Sequence, residues 1–129
     1  MLVMSFDGFR YDYYGAVKTP NLDFIARTGV HAPNGIKSVF ITKTFPAHWS
    51  IATGLYEESH GILNNKMFDP FTNKTFDFGG EESWWKGEPI WVTAKKQNKS
   101  VGIYFWPGSE VAFGGIHADH FYNYTANKN

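Results

Sequence analysis

A chain of 129 residues with 43% apolar side chains is large enough for one domain with its own hydrophobic core. Twelve basic and twelve acidic side chains cancel, so the charge predicts neither a nucleic-acid backbone nor an anionic membrane as partner. No apolar run approaches the roughly 20 residues that span a bilayer, and the lack of cysteine excludes disulfides and thiolate metal sites.

The first predicted elements are a strand and a helix. Residues 2–6 form a short apolar run, typical of a strand buried on both faces of a parallel sheet, and Asp7 follows at its carboxyl end. The segment from Pro20 to Thr28 predicts a helix, with Thr19 as its cap and Gly29 at its end. Its buried stripe is expected to comprise three apolar residues, Leu22, Ile25 and Ala26. The chain begins and stops without a closing element, so we expect both ends to be cut.

Further along, strands and helices continue to alternate. Residues 39–41 predict a second strand, and a second helix is expected from Pro46 to Thr53 with Gly54 at its end. The segment "NKMFDPFTNKTF" has Asp-Pro and Thr-Asn turns between aromatic runs, which predicts a hairpin. A third helix is expected over residues 89–98 and a third buried strand over residues 100–106. The residues after position 111 show no clear period.

This alternation predicts an α/β fold with a mostly parallel central sheet flanked by helices. In such sheets ligands bind beyond the carboxyl ends of the strands. Asp7, Thr44 and Trp106 all fall at predicted strand ends. The sequence therefore predicts a site at that edge of the sheet.

Thr44 lies in the segment "TKTFPAHWSIATG", just ahead of the second predicted helix if Pro46 takes the first helical position. Free backbone N–H groups at a helix start favour an anion, so a phosphoryl group held there would have its phosphorus beside the hydroxyl. Threonine is also a common cap residue. The residues alone leave a cap and a nucleophile both open.

The other polar candidates are equally ambiguous. Asp7 beside Gly8 is either a turn former or a metal ligand, and a metal on the Thr44 oxygen would lower the pKa of that alcohol. Asn65, shortly after Gly61-Ile62-Leu63, either donates to a phosphoryl oxygen or makes a turn.

The histidines give only a weak zinc signal. His48 and His60 form one pair and His117 and His120 another, but neither pair has a third ligand in an obvious place. For His48 we expect a hydrogen-bonded structural role within the second helix. The Trp84–Trp85 pair is expected to pack in the core.

Four segments together resemble the ectonucleotide pyrophosphatase/phosphodiesterase family of the alkaline phosphatase superfamily. They are "SFDGFR" at 5–10, "VFITKTFPAHWSIATGLYEESHGILNN" at 39–65, "PIWVTA" at 89–94 and "WPGSEV" at 106–111. The similarity runs in order over essentially the whole chain, and the second segment is long enough to be highly specific. It favours the nucleophile over the cap for Thr44.

The resemblance implies a role for each matching residue. Thr44 would be the nucleophile and a zinc ligand, and Asp7 would bind the same one of two zinc ions. Asn65 would help hold the phosphoryl oxygens, with the backbone N–H of Phe45 as a second donor. The nucleotide would be bound by residues matching the family's pocket, namely Phe45, Trp106, Pro107 and Tyr124.

The sequence departs from the family pattern in two respects. Ala47 and Trp49 stand where the family usually has Asn and Tyr, which concerns mainly local packing. The family's catalytic domain is also much longer, so residues 1–129 are expected to be the N-terminal part of one phosphodiesterase catalytic domain. The remaining Asp and His zinc ligands would then lie beyond residue 129.

The predicted function is zinc-dependent hydrolysis of phosphodiester or pyrophosphate bonds, through a phosphothreonine intermediate. The substrate would be a small nucleotide outside the cell or at its surface, and any membrane anchor would lie outside this chain. Three glycosylation sequons, at Asn73, Asn98 and Asn123, agree with such a location. The alternatives are a choline phospholipid phosphodiesterase of the same family and an inactive binding relative. The 129-residue chain alone is expected to be inactive.

Overall fold

A computed structural model describes residues 1–125. The chain divides into two compact units, Met1–Ser38 and Val39–Asn129, which are described separately below. Within the described residues, none of the helices combines the length and the apolar character needed to cross a membrane.

The described helices and strands are short. The helices are α1 (Pro20–Thr28), α2 (Thr44–Thr53), α3 (Glu57–His60) and α4 (Ile90–Lys96), with 3-10 turns at Tyr11–Tyr13 and Glu82–Trp84. The strands are β1 (Lys66–Asp69), β2 (Lys74–Asp77), β3 (Gly102–Tyr104) and β4 (His120–Tyr122).

In the first unit, α1 has the bounds that the sequence predicted. Gly29 ends it as expected, since its N–H donates to the Ile25 carbonyl at 2.8 Å. The Thr19 side chain does not cap the helix; its hydroxyl instead donates to the Asp23 carboxylate at 3.1 Å. The predicted stripe is wrong at Ile25, whose side chain is exposed, whereas Leu22 and Ala26 are half-buried.

The strands predicted at residues 2–6 and 39–41 are both wrong. Neither segment is paired with another strand among residues 1–125, and a strand requires a neighbour to satisfy its backbone groups. At Ile41 the backbone is left-handed, with φ of 56°, which a β-branched residue rarely adopts and a strand excludes. Apolar composition alone is therefore not enough to define strands in these segments.

In the second unit, α2 begins two residues before the predicted start. Thr44 is its first residue, so Pro46 occupies the third position instead of the first. Proline is tolerated there because the N–H groups of the first turn have no partner within the helix. Gly54 ends α2 as predicted, with φ of 71° and its N–H donating to the Ser50 carbonyl.

Two small sheets complete this unit. The predicted hairpin is confirmed: β1 and β2 pair antiparallel, with Lys66 opposite Asp77 and Asp69 opposite Lys74. The third predicted helix is confirmed as α4. The third predicted strand is confirmed only as the shorter β3, and its burial is wrong because Tyr104 is exposed. It pairs in parallel with β4, which the sequence did not predict.

The core of the second unit is built from aromatic rings. Trp49 is fully buried, lies 4.7 Å from Trp85 and 5.6 Å from Trp91 between ring centroids, and stacks on Phe113 at 5.2 Å. Its indole N–H donates to the Lys86 carbonyl at 2.9 Å, so the polar atom of this ring is satisfied. The packing role expected for the Trp84–Trp85 pair is confirmed.

Gly108 provides a test of how tightly this core is packed. Its φ is +86°, and an added Cβ would lie 3.0 Å from Trp49 Cζ3 and 3.1 Å from Trp85 Cζ3. We expect Gly108→Ala to lower the free energy of unfolding by about 1–3 kcal/mol more than backbone strain alone would. Gly114→Ala is the matched control, because Gly114 also has positive φ, +58°, but faces open space. Equal losses in urea denaturation would contradict the packing argument.

Candidate active site

Thr44 lies in the first turn of α2, where backbone N–H groups have no partner within the helix. Lys43 precedes it in extended conformation, and no side chain of the cap position bonds the first turn. Lys43 therefore occupies the cap position and Thr44 the first helical position. Its side chain is half-buried at a helix end that favours negative charge.

Asn65 contacts the residue directly after Thr44. The backbone N–H of Phe45 donates to Asn65 Oδ1 at 2.9 Å. Because an N–H can only donate, the side-chain atom of Asn65 that faces Phe45 is the amide oxygen. The NH₂ group of Asn65 is therefore not used in this contact and can donate elsewhere. The Phe45 N–H has an acceptor within the protein here, and its role as a second phosphoryl donor stays a prediction.

The backbone of Asn65 is held as firmly as its side chain. Its carbonyl accepts the Phe78 N–H at 2.9 Å, beyond the end of β2, and its own N–H donates to Asn64 Oδ1 at 2.8 Å. These bonds fix the segment before β1 against the start of α2. The Asn65 side chain is thus held at the residue that follows Thr44.

His48 supports the first turn of α2 from inside the helix. Its Nδ1 lies 2.7 Å from the Thr44 carbonyl oxygen, and since a carbonyl only accepts, Nδ1 carries the proton. The ring is buried against Trp106, at 5.0 Å between centroids. The structural role predicted for His48 is confirmed.

Phe45 was expected to stack on a nucleotide base, but its ring is 0% exposed. It packs edge-on against Phe76, Phe78 and Tyr124, with the Tyr124 centroid at 5.0 Å. Rings in such contact leave no room for a base between them, so the structure assigns the Phe45 ring to the core. Tyr124 is half-buried beside it, and its role in nucleotide binding stays a prediction.

The segment with Trp106 and Pro107 passes close to the start of α2, since Trp106 contacts His48. Pro107 is buried. Glu110 in the same segment was not predicted as a site residue; burial raises the pKa of its carboxyl, and Oε2 has no hydrogen-bond partner among the described residues. The only sequence signal for Glu110 is its position in the "WPGSEV" motif.

Asp7 belongs to the first unit and lies in a turn. The Phe9 N–H donates to the Phe6 carbonyl at 3.3 Å, and Gly8 takes a φ of +70° that this turn requires. The turn-forming role considered for this Asp-Gly pair is therefore confirmed.

The fold is that of the alkaline phosphatase-like nucleotide phosphodiesterases. Solved structures of murine and human ectonucleotide pyrophosphatase/phosphodiesterase 5 match the chain with a TM-score of 0.87 and 40% identity. They cover 94% of this chain, which corresponds to 34% of the murine and 33% of the human one. The predicted α/β fold class is confirmed, although only the β3–β4 pair of a parallel sheet forms within residues 1–125.

The family follows from the sequence comparison. The model of the type I phosphodiesterase / nucleotide pyrophosphatase family matches residues 1–128, and the chain belongs to this family. It is 48% identical to bis(5'-adenosyl)-triphosphatase enpp4 of Mus musculus, over 98% of this chain and 28% of that protein. It is 46% identical to human ectonucleotide pyrophosphatase/phosphodiesterase family member 1, over 96% of this chain and 14% of that protein. The chain thus spans less than a third of the length of these two relatives.

Proposed function

We propose that a full-length protein containing this chain hydrolyses phosphodiester or pyrophosphate bonds of nucleotides, with Thr44 as the nucleophile. The observation that carries the proposal is the bond from the Phe45 N–H to Asn65 Oδ1, which holds the Asn65 side chain at the residue that follows Thr44 in the first turn of α2. Membership of the phosphodiesterase family supports the reaction class. A murine relative has been solved with AMP as an inactive threonine-to-alanine variant, which supports a catalytic threonine.

In the proposed reaction, the Thr44 oxygen attacks phosphorus in line with the leaving oxygen. The new bond joins threonine oxygen to phosphorus, the bond to the leaving group breaks, and a water later cleaves the phosphothreonine. The Asn65 NH₂ group donates to a non-bridging oxygen, where negative charge accumulates in the transition state. The N-terminus of α2 contributes its positive end to the same charge.

Zinc would be held in part by oxygen donors of this chain, the Asp7 carboxylate and the Thr44 hydroxyl. Zinc at protein sites usually takes three or four protein ligands. Within residues 1–125 no group of three or more His, Asp or Glu side chains converges. When bound, the metal lowers the pKa of the alcohol.

The remaining ligands of the two zinc ions would lie beyond residue 129, in the same catalytic domain. Residues 1–129 would be its N-terminal part. Exposed apolar side chains such as Val30, Phe40 and Tyr104 support the presence of further structure that covers them. The 129-residue chain alone would be inactive and would bind zinc weakly at best, and micromolar or tighter zinc binding by it in calorimetry would contradict the weak binding.

The substrate class is tested with the full-length protein. We expect zinc-dependent cleavage of a dinucleoside polyphosphate, and little or no release of choline phosphate from lysophosphatidylcholine. The reverse preference would assign the protein to the phospholipid-cleaving branch. An absence of turnover on both, with the protein folded and zinc supplied, would favour an inactive binding relative.

The protein would act outside the cell or at its surface, as the names of the ectonucleotide relatives suggest for those proteins. The asparagines of all three sequons, Asn73, Asn98 and Asn123, are exposed, which supports glycosylation in the secretory pathway. A mass unchanged by peptide N-glycosidase in protein secreted from animal cells would contradict it.

A further inference from the structure

We propose that His60 is a positioning residue that holds Asn65 in place beside Thr44, an inference that rests on the proposed function. His60 is the last residue of α3 and is 0% exposed. Both of its ring nitrogens have partners, and these partners lie on the two segments that form the candidate site. A buried imidazole with two satisfied nitrogens is a rigid link between them.

The hydrogen bonds define the tautomer of the ring. The Ile62 N–H donates to His60 Nδ1 at 3.1 Å, so Nδ1 carries no proton. The proton is therefore on Nε2, which donates to Ser50 Oγ at 2.9 Å. Burial lowers the pKa of His60, with the charges of Glu57 and Glu58 opposing this more weakly, so the neutral form is favoured.

Each partner belongs to a different part of the site. Ser50 lies on α2, the helix that begins with Thr44. Ile62 is fully buried in the core and lies three residues before Asn65. The His60 carbonyl also accepts the Lys86 N–H at 3.0 Å, and the Lys86 carbonyl accepts the Trp49 indole N–H, which fixes His60 to α2 by a second route.

The contact with Ile62 is the one that positions Asn65. Without an acceptor for the Ile62 N–H, a buried donor is unsatisfied, and the segment shifts to recover a partner. Asn65 must stay within hydrogen-bond distance of the Phe45 N–H to keep its amide beside the alcohol. A displacement of about 1 Å in such a group costs on the order of a hundredfold in turnover. The bond to Ser50 orients the imidazole ring.

Two substitutions in the full-length protein separate these contacts. His60→Asn places an amide oxygen near the position of Nδ1 and keeps an acceptor for Ile62. His60→Gln reaches the position of Nε2 and keeps the bond to Ser50 only. We expect kcat within about threefold of the parent for His60→Asn and a loss of about 10- to 100-fold for His60→Gln, with KM unchanged in both. Equal values or the reverse order would overturn the proposal.

A double-mutant cycle tests whether His60 acts through Asn65. In an Asn65→Ala background, adding His60→Gln should lower kcat by no more than about threefold, because the group that it positions is gone. Ser50→Ala keeps Nδ1 of His60 as the acceptor for the Ile62 N–H, so it should lower kcat by less than His60→Gln does in the parent background. If Asn65→Ala is itself impaired and His60→Gln lowers kcat by the same factor in both backgrounds, the positioning role of His60 is overturned but the role of Asn65 is not. An unimpaired Asn65→Ala would overturn the assignment of Asn65 as well.

Discussion

Thr44→Ala in a full-length protein containing this chain is expected to lower kcat by about four orders of magnitude or more, the scale seen when a catalytic nucleophile is removed. Alanine has no oxygen to attack phosphorus, so no covalent intermediate forms. Because the substitution only shortens a half-buried side chain at the first position of α2 and alanine is a strong helix former, the variant should fold normally. Steady-state kinetics on a dinucleoside polyphosphate measure the loss.

Thr44→Ser is the control for this prediction, because it keeps the alcohol and removes only a methyl group. It should retain a measurable covalent intermediate when the reaction is quenched with labelled substrate, whereas Thr44→Ala should show none. An alanine variant with more than a tenth of the parent activity would refute the nucleophile. A labelled enzyme intermediate in the alanine variant would refute it independently.

Asn65→Asp is expected to lower kcat by about 10²–10³, comparable to removal of one oxyanion-hole donor. The substitution keeps an oxygen that accepts the Phe45 N–H, but it replaces the NH₂ donor with a second oxygen of negative charge. The transition state loses a hydrogen bond and meets a like charge. Pre-steady-state kinetics with saturating substrate should place the loss in formation of the phosphothreonine.

Comparison with Asn65→Ala separates catalysis from structure. Alanine removes the acceptor as well as the donor, so the Phe45 N–H is unsatisfied and the free energy of unfolding should fall by about 1–3 kcal/mol. Asn65→Asp should leave stability near that of the parent. Normal turnover in both variants would show that Asn65 does not contact the phosphoryl group.

Sequence signals within a short segment correctly predicted the elements that are stabilised by residues of that same segment. The Pro20 start and Gly29 end of α1 depend on residues within the helix, and the β1–β2 hairpin depends on turn residues between adjacent strands. The strands predicted at residues 2–6 and 39–41 failed because pairing depends on distant partners. β4 is three residues long and is ordered by its pairing with β3, so no period in its own sequence could reveal it.

The candidate site shows the same distinction between features that depend on nearby residues and features that depend on packing. The helix start at Thr44 was predictable to within two residues, and the family motif supplied the proposed roles of Thr44 and Asn65. The hydrogen bond from Phe45 to Asn65 was not predictable, because its direction depends on how two segments meet. The burial of the Phe45 ring and the links made by His60 have the same origin: they are properties of packing that a linear pattern does not contain.

The aromatic core has a consequence for how this protein can be followed in solution. Trp49 lies within 4.7 Å of Trp85 and 5.6 Å of Trp91, so the three indoles are close enough for their electronic transitions to couple. A fixed chiral arrangement of such chromophores gives a near-ultraviolet circular dichroism signal that disappears when side-chain packing is lost. The second unit thus carries an intrinsic optical reporter, and its melting can be recorded without an attached dye.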